Sequence, residues 1–188
     1  SRDGGQSWID GTGTSFPLAE GAYARGQVQA RQIDGAGNFS DARTTFDGFV
    51  LDLTAPVALT LDLVADTGRS NVDRYTRNRV LSIGGVEAGA NWQFSTNSGV
   101  SWTAGSGSTF SVADGSYADG QVRVRQIDAA GNTGPVLSSF AAFTIDATAP
   151  AVPSLALAAD TGSSSSDRLT RNRSLAISGL EAGASWQF

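Results

Sequence analysis

The stretch 117–132, YADGQVRVRQIDAAGN, occurs almost letter for letter at 23–38, YARGQVQARQIDGAGN, 94 positions earlier. The same offset relates Trp8 to Trp102, the Thr-Ala-Pro at 54–56 to that at 148–150, and the Asp-Thr-Gly at 66–68 to that at 160–162. A fixed long period means an array of like units. The 188 residues hold two lengths of it. A unit of this size buries roughly 60–65% of the surface its unfolded chain exposes, so it can fold alone with modest stability. A metal or a neighbour would add to that.

Within the repeat the apolar residues alternate. Val28 and Ala30 share one face, while Gln27, Gln29 and Arg31 share the other; in the second copy Val122 and Val124 face in, and Arg123 and Arg125 face out. Period two marks a half-buried strand. The same reasoning predicts strands at 16–18, 46–51, 59–63, 79–83, 91–95, 110–112 and 140–145, with turns every eight to twelve residues and no helical period. Trp92 and Phe94 point inward, and the Asn-Ser-Gly at 97–99 closes a hairpin to Trp102. Gln126 and Asp128 continue the inward phase, which is odd for a core. An inward Asp near a strand end bonds loop amides or binds a cation. Gly37 and Gly131 supply the positive φ their tight loops need. The spacing Ser1-x-Asp3-x-Gly5-x-x-Trp8 resembles the Asp-box of propeller proteins. With no series of blades after it, the reading is a hairpin with Trp8 on the core.

Seven strands per period, a Trp on the third and a Tyr just before the sixth predict tandem immunoglobulin-like sandwiches. The expected fold is all-β, with seven antiparallel strands in each repeat of about 94 residues. Tyr117 would form a corner whose hydroxyl bonds nearby backbone. Residues 53–146 make a complete repeat. Residues 1–52 carry the last four strands of one repeat, and 147–188 the first three of the next. Joining Trp186-Gln-Phe188 to Ser1 restores the pattern seen from Trp92 to Gly99, so the two partial pieces together make one further sandwich. The partner is either a second copy or the rest of a longer array. Pro56 and Pro150 make the linkers short and stiff.

Composition narrows the chemistry. The chain has no Cys, no His and no Lys among its 13 basic residues. Without Cys there is no disulfide framework or thiolate chemistry. Without His, serine-triad and His-ligated zinc chemistry lose their parts. No enzyme activity is expected. A net charge of −5 argues against nucleic acid and favours cations. No apolar run approaches the roughly 18 residues of a membrane span, and Ser1 does not open a signal peptide.

The pattern of Thr-Ala-Pro linker, Asp-Thr-Gly loop, Trp-x-Phe before a hairpin, and Gly-x-Tyr followed by Val-x-Val and Asp-x-Ala-Gly-Asn resembles the bacterial Ig-like repeats of giant type I-secreted surface adhesins. The resemblance covers the whole chain. It implies an extracellular location on the bacterial cell surface, tandem arrays, a part in adhesion and biofilm formation, and calcium near domain junctions. Function then reads as a structural extender that spaces a binding region from the cell. A module that itself recognises a surface glycan or protein is the alternative, as is an accessory domain of a secreted enzyme. The four Trp occupy inward-looking positions rather than a binding platform.

Antiparallel sandwiches stacked end to end bring an Asp-rich loop of one unit to the linker Asp and the Asp-x-Ala-Gly-Asn loop of the next. Carboxylates converging without a basic partner repel unless a cation sits among them. Oxygen ligands alone select a hard cation such as calcium. One expected site combines Asp52 and Asp128 with Asp160 and Asp167 of the preceding copy. The other combines Asp66, Asp73 and Asp146 with Asp34 of the following copy. The plainer reading is that Asp66 and Asp73 make side-chain-to-backbone turns while Asp128 satisfies its own loop. Expected partners are neighbouring repeats end to end, and head-to-tail contact between copies through the partial domains.

Overall fold

The computed structural model describes residues 1–44 and 47–188. Phe46, at the start of one expected strand, lies outside them. Among the described residues every regular element is a strand, and no helix is long and apolar enough to cross a membrane. The first segment carries β1 (Gly21–Tyr23), β2 (Gln29–Ala30), β3 (Arg43–Thr44) and β4 (Phe49–Leu51). The middle segment carries β5 (Thr60–Leu63), β6 (Tyr75–Thr76), β7 (Val80–Gly84), β8 (Asn91–Ser95), β9 (Thr103–Ala104), β10 (Thr109–Ser111), β11 (Gly115–Tyr117), β12 (Arg123–Ile127) and β13 (Phe143–Ile145). The last carries β14 (Ser154–Leu157) and β15 (Leu175–Ser178).

The middle segment forms three sheets, ordered β10-β7-β5, β12-β8-β9 and β11-β13-β6. Seven antiparallel strands were expected here, and nine short ones are present. The extra ones come from the Asp-rich loop, which supplies β6, and from the tyrosine corner, which supplies β11. β6 pairs with β13 in parallel; the other ladders are antiparallel.

Among the described residues eleven apolar side chains other than proline are buried, and all lie between Leu59 and Ile145. Alternation explains the choice. Leu81 and Ile83 of β7, and Val124 of β12, face the core while their neighbours do not. Trp92 lies 5.8 Å from Phe110, and Phe94 stacks on Phe110 at 4.3 Å. Of the residues expected inside, Trp92, Val122 and Val124 are buried and Phe94 is partly so; Phe143 and Ile145, on the expected strand 140–145, are buried as well. Trp102 is only half-buried: it lies under the Arg125 guanidinium at 4.1 Å rather than in the core. Trp8 lies likewise under Arg31 at 4.1 Å. The Asp-box-like spacing does make a turn, with Asp3 accepting the Ser7 amide at 2.9 Å. The tyrosine corner is present in both copies. Tyr117 donates to the Ala113 carbonyl at 3.0 Å and Tyr23 to the Ala19 carbonyl at 2.8 Å.

In the flanking segments the equivalent apolar residues are exposed. Phe16 stands where Phe110 does, Leu175 where Leu81 does, and Trp186 where Trp92 does, and each is about half exposed or more. The first segment has four strands, of which β2 and β4 fall within expected ones and β1 and β3 do not. The last has two of its three, and 16–18 is not a strand. A ladder explains both absences. In the middle segment β10 pairs with β7 and β8 with β12. The counterpart of β10 is in the first segment, and that of β7 in the last. For β8 and β12 the order is reversed. A strand without a partner has no ladder to form.

Candidate functional site: acidic loops and the linker strap

The 128–132 loop is closed by its own Asp. Asp128 Oδ1 accepts the amides of Ala130 and Asn132, both at 2.8 Å, and Oδ2 accepts Asn132 Nδ2 at 2.8 Å. Asp34 repeats this with Ala36 and Asn38 at 2.8–2.9 Å. Gly131 and Gly37 have φ of 97° and 89°, as the tight loop requires. The Asn side chain, then the loop amides, hold both carboxyls below the ordinary value for Asp.

The 65–78 loop is built on two Asp and one Thr. Asp66 Oδ2 accepts the Arg74 amide at 2.8 Å, and Asp73 Oδ1 accepts the Tyr75 amide at 3.0 Å. The first bond holds Arg74 at φ 59°, a left-handed backbone uncommon for a non-glycine residue. The fully buried Thr76 hydroxyl donates to the Ala65 carbonyl and accepts the amides of Thr67 and Asn78, each at 3.0 Å. In the last segment Asp160 accepts the Arg168 amide at 2.9 Å and Asp167 the Leu169 amide at 3.0 Å. Arg168 has φ 62°. Both copies share one further feature. Oδ1 of Asp66 and Oδ1 of Asp160 are shielded from solvent and have no hydrogen-bond partner.

Each Thr-Ala-Pro linker is tied to the chain on either side. Asp52 accepts the Thr54 amide at 3.0 Å, and the Thr54 hydroxyl donates to Glu20 at 2.7 Å. Asn132 Nδ2, already on Asp128, also donates to the Asp52 carbonyl at 3.1 Å. Pro56 is buried, and the Val57 amide donates to Glu87 at 3.0 Å. Gln126 is buried to 0% exposure because its amide is fully used. Nε2 donates to the carbonyls of Val57 and Gly85 at 2.7 and 3.1 Å, and Oε1 accepts the Glu87 amide at 2.9 Å. The second linker repeats the pattern. Asp146 accepts the Thr148 amide at 3.2 Å, the Thr148 hydroxyl donates to Asp114 at 3.0 Å, and the Ala151 amide donates to Glu181 at 3.3 Å. Asp114 also takes a two-pronged ion pair from Arg79, both contacts 2.8 Å, which lowers its pKa.

The expected residues are linked in pairs through an intervening residue, without their carboxylates meeting. Asn132 bonds the Asp128 carboxylate and the Asp52 backbone carbonyl. Asp73 and Asp146 are joined through Tyr75, whose hydroxyl donates to Asp146 Oδ2 at 2.9 Å. That bond pushes the phenol pKa up. Asp66 instead turns to Arg74, and Asp34 bonds only its own loop. Asp160 and Asp167 repeat the Asp66 and Asp73 turns. Among the described residues no three acidic side chains gather into a group able to hold a metal. Each expected set of four includes residues from a second copy, which lie outside a single chain. The strap residues Glu20, Glu87 and Asp114 escaped sequence reasoning. The repeat carried the signal, since Glu87 and Glu181 share a register and Glu20 and Asp114 keep an acid there.

No family model matches the chain, and no curated protein matches it.

Proposed function

We propose that this chain is a stretch of extender repeats from a large bacterial cell-surface adhesin. Immunoglobulin-like sandwiches stand end to end as a rod that projects a binding region from the cell, in adhesion or biofilm formation. Residues 53–146 are one whole unit, 1–52 the end of a unit, and 147–188 the start of another. The observation that carries this reading is the strap. The linker between units is hydrogen-bonded to both neighbours, through Glu20–Thr54 on one side and through Glu87–Val57, Gln126–Val57 and Asn132–Asp52 on the other. A flexible tether needs no such bonds; a rod does. Two linkers of one design favour many equal spacers over a single binding site.

Calcium fits the donor set in part. The orphaned Oδ1 atoms of Asp66 and Asp160 are the kind of buried oxygen that a cation satisfies. Every candidate ligand is an oxygen, as a hard cation prefers. Asp66, Asp73 and Asp146, with Asp34 of a following copy, would hold one ion. Asp52 and Asp128, with Asp160 and Asp167 of a preceding copy, would hold the other. Bound calcium would turn carboxylate repulsion at the joint into attraction. At a hundred times its dissociation constant, a ligand stabilises the native state by about 2.7 kcal/mol. The chain would stay loose where calcium is scarce, inside the cell, and set outside it. Calorimetric titration with calcium of several such repeats joined in series, so that each site has all its ligands, tests this. Heat of binding at up to millimolar calcium, reduced by Asp66→Asn with Asp160→Asn, supports the site. No heat over that range excludes it.

A further inference from the structure

The outward face of the sheet β12-β8-β9 carries Arg123 and Arg125 on β12, Asn91 and Gln93 on β8, and Ala104 on β9 with Trp102 two residues before it. None of these is acidic, in a chain with 18 Asp and Glu. The Arg125 guanidinium lies 4.1 Å over the Trp102 ring, and its Nε donates to Gln93 Oε1 at 2.9 Å. Arg123 Nε donates to the Gly120 carbonyl at 2.8 Å. A Cβ built on Gly99 would stand 3.5 Å from Arg123 Nη1 and 3.6 Å from the Trp102 ring, so both lie against the same bare glycine. Each Nε is thus tethered to a neutral oxygen. Among the described residues neither arginine is ion-paired, and the Nη atoms of neither have a hydrogen-bond partner.

We propose that this face is a glycan-binding site, with Arg123 and Arg125 taking the carboxylate of an acidic sugar and Trp102 backing them. A guanidinium fork matches a carboxylate with two parallel bonds. Here the forks are set before a ligand arrives, since each Nε is tethered and one guanidinium is stacked on the indole. Such preorganisation lowers the ordering cost of binding. The two arginines stand two residues apart on one strand, about 7 Å, and the amides of Asn91 and Gln93 share their face as donors to sugar hydroxyls. Trp102 and Arg125 recur as Trp8 and Arg31, again 4.1 Å apart, but Gln29 stands at the place of Arg123. The site with two forks therefore belongs to the 53–146 unit.

The size and edges of the face select the occupant. Three neighbouring strands of about five residues span roughly 17 Å by 14 Å. A stable protein interface needs about 800 Å² on each side, roughly three times that area. An extended peptide takes a free strand edge. Thr133 and Leu137 already bridge the outer edge of β12, and β9 offers only two residues. A long polyanion would run onto the acidic loops of a chain of net charge −5. A single carboxylate on a neutral sugar chain is screened from those loops beyond about 8 Å. The site needs neither calcium nor a second repeat, so its test is separate from that of the rod.

The test is a two-dimensional NMR titration of the full chain, in chelator, with xylotriose carrying one glucuronate. The Trp102 indole and the Arg123 and Arg125 Nε signals should shift together. The buried Trp92 indole, which donates to the Gly107 carbonyl, should not. The methyl ester of the same sugar, which has no charge, should bind about tenfold more weakly or worse. Arg123→Gln and Arg125→Gln should each weaken binding about tenfold. Arg123→Gln leaves the Arg125–Trp102 stack in place, so it reads the site even if Arg125→Gln disturbs the sheet. No shift at about 10 mM sugar, equal binding of the ester, unchanged affinity in Arg123→Gln, or tighter binding of tetraglutamate or a thymidine oligonucleotide would each overturn the site.

Discussion

The side-chain amide of Gln126 donates to the Val57 carbonyl at 2.7 Å, across 69 residues of chain. It joins a buried position on β12 to the first residue after Pro56. The same amide holds Gly85 and Glu87, so one side chain fixes the linker and the following turn together. Replacing it by Leu keeps the volume and strands two carbonyls and an amide. An unsatisfied buried polar group costs about 1–3 kcal/mol. Gln126→Leu should therefore lower the unfolding free energy by about 3 kcal/mol in urea titrations. Gln32→Leu, in dilute monomer, should change it by under about 0.5 kcal/mol. Equal effects would contradict the clamp.

Gly105 and Gly11 offer a paired test of packing. Gly105→Ala drives a methyl into the Trp92 ring, and overpacking of this kind costs about 1–3 kcal/mol. Gly11→Ala meets open space and should be close to neutral in monomer. Chemical denaturation, followed by the near-ultraviolet signal of the Trp92 environment, measures both.

The carboxyls of Asp34, Asp114 and Asp128 are all held below the ordinary value of 3.8 by bonds made in the folded chain. A depressed folded pKa contributes stability that is present above the unfolded pKa and lost as pH falls through the folded one. Melting temperature should be level from neutral pH down to roughly 5, then fall below roughly 4. Asp114→Asn, which also weakens the Arg79 pair, should flatten that acid limb. A melting temperature that rises on acidification would contradict the assignment.

Linker stiffness should depend on the strap. Thr54→Val keeps the shape of the side chain and removes the bond to Glu20. Because that bond is exposed, global stability should move by no more than about 1 kcal/mol. The angular spread between residues on either side of the linker should widen, as residual dipolar couplings would read it. An unchanged spread would place the stiffness elsewhere.

Much of this was legible in the sequence, for local reasons. Alternation identified β8 to the residue and the inward Val122 and Val124, and the repeat placed both tyrosine corners. The absence of strands at 16–18 and around Trp186 was not legible. Period two says which face a side chain takes, not whether a ladder partner is present. Trp8 and Trp102 misled because a repeated aromatic reads as core, whereas Arg31 and Arg125 roof these two from outside. The acidic loops were found, and their carboxylates largely serve their own backbone amides, as the plainer reading held. The orphaned Oδ1 of Asp66 depends on the loop's three-dimensional course, which residue spacing does not carry.

The most direct test of the proposed calcium-stiffened rod is several such repeats joined in series, which brings all the ligands of each joint together, in millimolar calcium and in chelator. Small-angle scattering gives the maximum dimension, and calorimetry gives the melting temperature. Both should be higher with calcium. Asp52→Ala together with Asp128→Ala should remove the part of the gain that comes from that joint. Equal maximum dimension and equal melting temperature in the two conditions would contradict the account.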